Sequence, residues 1–247
     1  MLERMEGIVL RSQNYGETHK IITLFTKERG LISAICRGAN KGKSRLSAIS
    51  QPFIHGQFLI YVSKGLSTVQ QGEIVHSFRS IREDIVKTAY AAYLAEFTHR
   101  TLEEKKRILY LYNELLQTFH WINEHDEYAI PVIMFELKLF QYGGYSPVLK
   151  MCVNCSTENN LTHFSIREGG VLCSTCWHMD DNSVLLNSKL IYILQVLSEA
   201  KLEQVGQINM KASNIQLLQK IMDEYYDSYG GAYLKSKRFL SQIDHLM

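Results

Sequence analysis

The sequence predicts an α+β chain of more than one domain: an N-terminal β-barrel, then a larger helical part that carries a four-cysteine insertion. Three observations predict it. Five short runs rich in Ile, Val, Thr, Phe and Tyr fill the first 80 residues, apolar residues recur at the helical period from about Ile81, and four of the five cysteines fall into two C-x2-C pairs.

The β-rich runs are Met5–Arg11, Lys20–Thr26, Leu31–Arg37, Phe53–Val62 and Ser67–Phe78. Between them stand Asn14-Tyr15-Gly16, Glu28-Arg29-Gly30, Gly38–Ser44 and Lys64-Gly65, which supply turn chemistry. Five short strands at this spacing suggest closure into a small barrel, since closure removes exposed sheet edges. The five-stranded OB-fold is the obvious form, although strand number alone does not separate it from an SH3-like barrel.

Beyond residue 80, Ile108, Leu111, Tyr112, Leu115, Phe119 and Ile122 repeat at helical spacing. Pro131 fits the first turn of a helix running through Val132, Phe135, Leu139 and Phe140, stopped near Gly143-Gly144. Leu190, Ile191, Leu194 and Leu197 form a further stripe, and Ile215, Leu218, Met222 and Tyr225 another. The resulting division is a barrel over 1–80, a helical domain over 81–149 and 179–247, and a metal module over 150–178 between its two parts.

The pairs Cys152-Val-Asn-Cys155 and Cys173-Ser-Thr-Cys176 stand seventeen residues apart. Each C-x2-C turn folds two thiolates toward one side, and tetrahedral zinc needs four donors converging on a point. The segment between them, Leu161 to Ile166, then Arg167 to Gly170, then Val171-Leu172, reads as a hairpin that returns the second pair to the first. Four protein thiolates leave no open position on the metal, so one structural zinc per chain is expected, with His163 and His178 as bystanders. Cys36, alone in a strand, reads as a small buried apolar residue.

Composition excludes little by itself: apolar residues make up 46% and charged residues 21% of the 247, an ordinary globular balance. Charge distribution says more. Residues 1–80 hold 11 Lys/Arg against 5 Asp/Glu, a net +6, while the remainder holds 16 against 20, a net −4. A basic barrel implies a polyanionic partner. No run approaches the roughly 20 apolar residues of a membrane span, and the charged start lacks a signal-peptide core, so a cytoplasmic protein is expected.

The densest basic segment is Gly38-Ala-Asn-Lys-Gly-Lys-Ser-Arg45. It is no P-loop, because three residues rather than four separate Gly38 from Gly42 and no clear helix is expected after Ser44. Read as a mobile loop, it offers Arg37, Lys41, Lys43 and Arg45 to successive backbone phosphates. Lys20 joins this set from the start of the second strand, and Tyr15, in a turn, offers a stacking face for an unpaired base. Phe58 and Tyr61 are better read as barrel core. No Ser/His/Asp, Cys/His or spaced-carboxylate set stands out, so no catalysis is expected.

Several of these segments, taken in order, resemble the RecO family of bacterial recombination mediators. The opening strands are carried by Gly7-Ile-Val-Leu-Arg11, Tyr15-Gly-Glu-Thr18, Leu24-Phe-Thr26 and Gly30-Leu31. Its basic loop is carried by Arg37-Gly38-Ala39 and Lys43-Ser-Arg-Leu46. The helix before the metal module is carried by Phe135-Glu-Leu-Lys-Leu139 with Gly144-Tyr-Ser-Pro147. The resemblance implies binding of single- and double-stranded DNA and annealing of complementary strands. It also implies help, with RecR, for RecA to displace single-strand-binding protein. That protein's acidic tail binds the family's helical domain, where Arg100, Lys105, Lys106 and Arg107 are plausible donors. Two rival readings remain: a zinc-ribbon nucleic-acid-binding regulator, which a module holding only Arg167 against Glu158 and Glu168 disfavours, and an enzyme with a structural zinc.

Overall fold

A computed structural model of the chain describes residues 1–204 and 210–244, so parts of the 179–247 segment (205–209 and 245–247) lie outside the described residues. The chain divides into two compact units, one formed by 1–126 with 234–247 and the other by 127–233.

The first unit is built on a barrel of β1 (Leu2–Tyr15), β2 (His19–Thr26), β3 (Gly30–Cys36), β4 (His55–Tyr61) and β5 (Ser67–His76). It closes in the order β1-β2-β3-β5-β4, with β3 and β5 parallel at Ala34↔Ser67 and Ile35↔Thr68. That order is the OB-fold arrangement. β1 is long enough to serve two neighbours. Its first half pairs with β4 and its second with β2, with a register shift between Val9 and Arg11 where the strand turns the corner. Alternation then sends Met5, Val9, Ile22, Leu24, Ile32, Ala34, Phe58 and Ile60 into one interior, and Cys36 joins them there fully buried.

A short helix, contrary to expectation, does open after Ser44: α1 (Arg45–Ile49), with the Ser44 hydroxyl accepting from the Leu46 N–H at 3.2 Å. Five residues give too little periodicity to register, and Pro52 masks the turn. α1 corks the barrel with Ile49. Gly56 and Gly72 leave room for that cork, because a Cβ on either would sit 2.7 Å from an Ile49 carbon.

The outer face of β1–β3 is also apolar, with Ile8, Phe25 and Leu31 almost fully buried. The helices α2 (Arg79–Glu83), α3 (Ile85–Thr101), α4 (Leu109–Glu124) and α8 (Lys235–Asp244) belong to this same unit. Phe25 meets Tyr112 edge-on at 5.5 Å, and Phe53 meets Phe119 at 5.9 Å. Asp84 caps α3 by accepting from the N–H groups of Val86 and Lys87 at 2.8 and 2.9 Å. The α3–α4 connection lies against a barrel turn, where Gly30 has φ +69° and a Cβ would stand 1.9 Å from the Lys106 carbonyl oxygen. Only glycine fits there.

Between barrel and α4 lies a stack of imidazoles. His55 and His76 are parallel at 5.4 Å, and His76 meets His120 at 4.5 Å. His55 Nε2 faces Glu6 at 3.1 Å and His120 faces Glu124 at 3.7 Å. Burial pushes His55 below its ordinary range although Glu6 opposes it, and burial with His76 does the same to His120. The unfolded chain therefore binds more protons below about pH 6.5, so stability falls as pH drops through that region. Thermal unfolding between pH 7.5 and 5.5 should show this loss, and it should be shallower in His120→Phe. An equal or steeper loss in the variant would contradict the assignment.

The second unit holds α5 (Ala129–Gly143), α6 (Ser188–Glu199), α7 (Ala212–Tyr229) and a sheet of β6 (Leu161–Ser165), β7 (Gly170–Cys173) and β8 (Val184–Leu185), ordered β7-β6-β8. Gly144 ends α5 with φ +80°, and Asn187 caps α6 by accepting from the Leu190 N–H at 2.9 Å. Phe140, Phe164 and Tyr225 join helices to sheet, and the Tyr225 hydroxyl donates to the Tyr145 carbonyl at 2.9 Å. The third strand, only two residues long, carries no sequence signal. Among the described residues no helix is long and apolar enough to cross a membrane.

Candidate metal centre and nucleic-acid interface

The hairpin of β6 and β7 pairs Leu161 with Cys173 and so brings the second cysteine pair back over the first. In the first knuckle the Ser156 N–H donates to the Cys152 carbonyl at 2.9 Å, and Ser156 takes φ +61°. The second knuckle closes one residue tighter, Cys176 N–H to Cys173 carbonyl at 3.0 Å. The Sγ atoms of Cys152, Cys155, Cys173 and Cys176 all lie within 4.8 Å of one another, and Cys155 and Cys173 stand 3.7 Å apart. A tetrahedron with zinc–sulfur bonds of about 2.3 Å has sulfur–sulfur edges of about 3.8 Å. The donor set fits a four-thiolate cation site.

Electrostatics point the same way. Burial raises the Cys152 thiol, but N–H groups of Cys155, Cys173 and Asn154 outweigh it and bring it down to about 6. Asn154 Nδ2 donates to Cys176 Sγ at 3.3 Å and favours its thiolate, yet burial and the neighbouring thiols push Cys176 up to about 12. Four thiolates so close repel one another, and a divalent cation at their centre removes the conflict. His163 is stacked on Trp177 at 5.6 Å with its Nδ1 at 2.9 Å from Thr162, and neither it nor His178 joins the thiol group. Asn154 is the partner that sequence reading missed.

On the barrel, Arg37, Lys41, Lys43 and Arg45 are all exposed, and no carboxylate of the described residues pairs with them. Lys20 is half-buried, on β2 between Asn14 and Cys36. The loop is tied where a mobile one is expected. Gly38 N–H donates to His19 Nδ1 at 2.9 Å, Asn40 N–H to the Thr18 carbonyl at 3.0 Å, and Asn40 Nδ2 to Asn14 Oδ1 at 3.1 Å. Internal turns complete it, Lys41 N–H to Gly38 carbonyl at 3.0 Å and Ser44 N–H to Lys41 carbonyl at 2.9 Å. Three straps thus hold the basic loop against the β1–β2 turn. Tyr15 closes β1 beside that turn, 54% exposed. Phe58 is fully buried as expected, whereas Tyr61, expected in the core, ends β4 at 53% exposure. His19 and Asn40 hold the loop in place; nothing in their sequence context marks them.

Lys105 and Arg107 are engaged at the barrel, and Lys106 within its own connection. Lys105 Nζ donates to the Lys64 carbonyl at 2.9 Å, Arg107 Nε to the Lys27 carbonyl at 3.1 Å, and Lys106 pairs with Glu103 at 3.0 Å. Arg100, the fourth of that group, is exposed on α3.

Two family profiles match this chain: Recombination protein O N terminal over residues 1–78 and Recombination protein O C terminal over 82–238. The chain belongs to the RecO family. It is 48% identical over 244 residues to "DNA repair protein RecO" of Oceanobacillus iheyensis, covering 99% of this chain and 95% of that one. It is 42% identical over 250 residues to the protein of the same name from Bacillus subtilis, covering 100% and 98%. RecO membership makes DNA repair and recombination the setting in which the barrel and the cysteine module act.

Proposed function

We propose that this RecO-family chain is a cytoplasmic, non-enzymatic mediator that binds single- and double-stranded DNA at the strapped edge of its barrel and anneals complementary strands. With RecR it helps RecA replace single-strand-binding protein, and one zinc on Cys152, Cys155, Cys173 and Cys176 holds the second unit's fold. The observation that carries the reading is the fixed basic loop, four exposed cations next to an exposed Tyr15 on an OB-type barrel.

The mechanism follows from polyelectrolyte physics. A tied loop loses little conformational freedom on binding, and each cation that meets a phosphate releases condensed counterions. Tyr15 gives an unpaired base a stacking face without reading its identity, so binding tolerates any sequence. Two complementary strands repel; a surface that neutralises part of one strand lowers that repulsion while its bases stay free to pair. Zinc, when bound, supplies a crosslink and no open coordination position.

Annealing of two complementary oligonucleotides, alone and coated with single-strand-binding protein, tests this. The protein should raise the annealing rate at least tenfold in both cases and show no sustained ATP turnover in the same buffer. Annealing no faster than the uncatalysed rate would overturn the reading, and ATP turnover abolished by Lys43→Ala would favour an enzyme.

A further inference from the structure

The basic edge does not stop at the loop. Arg11, Gln13 and Tyr15 occupy alternate positions on β1 and are all exposed, so Arg11 continues the surface roughly 14 Å back from Tyr15 along the strand. α3 packs against β1 there. The charges of Arg11 and of Arg100, exposed on α3, both bear on His99, whose buried Nδ1 has no hydrogen-bond partner. One turn earlier on α3, the Glu96 carboxylate accepts from Ser236 N–H at 2.8 Å and from the Ser236 hydroxyl at 2.6 Å, which fixes the first turn of α8 against α3. The same carboxylate also acts on Arg100, and α8, which opens at Lys235, carries exposed Lys235 and Arg238 with Phe239 at 43% exposure. Glu104 and Glu96 both act on His99 in the opposite sense to the two arginines.

We propose that Arg11, Arg100, Lys235 and Arg238 form a second phosphate-binding segment, continuous with the barrel loop, along which a longer single strand runs over β1 and α3 to the C-terminal helix. The inference rests on the proposed barrel interface and extends it. A strand long enough to leave the loop meets these cations in order, and Phe239 offers a second stacking face at the far end. A short strand held by the loop alone never reaches them.

The test uses the full chain with Arg11, Arg100, Lys235 and Arg238 all changed to alanine, with circular dichroism confirming the fold. Binding is read with oligothymidylates of 8 and 35 nucleotides across a salt series. The 8-mer should bind as to the unaltered protein, while the 35-mer should bind at least tenfold more weakly with a salt slope lower by about 0.7 for each phosphate no longer neutralised. Unchanged affinity and slope for the 35-mer overturn the inference and leave the barrel interface standing. A loop variant lacking Arg37, Lys41, Lys43 and Arg45 serves as the second arm: if it keeps full 8-mer affinity, the barrel interface itself fails. Equal loss for both lengths in the first variant would also overturn the proposal, because it would put these residues in the primary site.

Discussion

Changing Cys155 to serine should remove the bound metal and melt the module it closes, although its side chain is exposed. An exposed Cys-to-Ser change away from any such feature is worth within about 0.5 kcal/mol, so a large effect at this position reports a ligand and little else. Structural zinc commonly contributes on the order of 10 kcal/mol to folding, and serine is a poor fourth donor. The β6–β7 hairpin depends on the knuckles at its end, and Phe164 on β6 packs against Tyr225 of α7. Loss of metal should therefore spread into α7, and the second unit should unfold well below the first. Elemental analysis should give one zinc per unaltered chain and far less than one in Cys155→Ser and Cys173→Ser. Full metal content in either variant would rule out the four-cysteine site.

Legibility in the sequence followed physical range. The clustering of the four cysteines could be read directly because two C-x2-C turns and a hairpin are all local, and local geometry brings the sulfurs together. Barrel strands could be read from alternation and turn residues, down to the burial of Cys36 and Phe58. α3 left a weak trace because it is buried on most sides, from Ala89 to Thr98, so its apolar residues do not form one stripe. The cork α1 is shorter than two helical turns. What could not be read were interactions between distant segments: the straps from His19 and Asn14 to the basic loop, the Asn154 bond to Cys176, and the docking of α8 onto α3 through Glu96 and Ser236. Each joins polar residues whose sequence neighbours give no reason to single them out. Tyr61 failed for a related reason, since alternation identifies a strand but not where the barrel ends.

Replacing Arg37, Lys41, Lys43 and Arg45 together should cost the most in function and almost nothing in stability. All four are exposed, and the straps that hold the loop use Gly38 and Asn40 instead, so the backbone path survives the change. Tyr15→Ala should act differently, with about 1–3 kcal/mol of stacking lost and the salt dependence unaltered. If the four cations each meet a phosphate, the log–log salt slope on single-stranded DNA falls by about 0.7 per phosphate, roughly 3 in all. Near 0.1 M salt that corresponds to an affinity loss on the order of 100-fold or more, alike for every sequence. Annealing should fall with it. The most direct measurement is the salt dependence of single-stranded DNA binding by the folded quadruple-alanine protein beside the unaltered one. A slope lower by roughly 3 with affinity down at least 100-fold is the predicted result; unchanged slope and affinity would contradict a DNA interface at the strapped edge of the barrel.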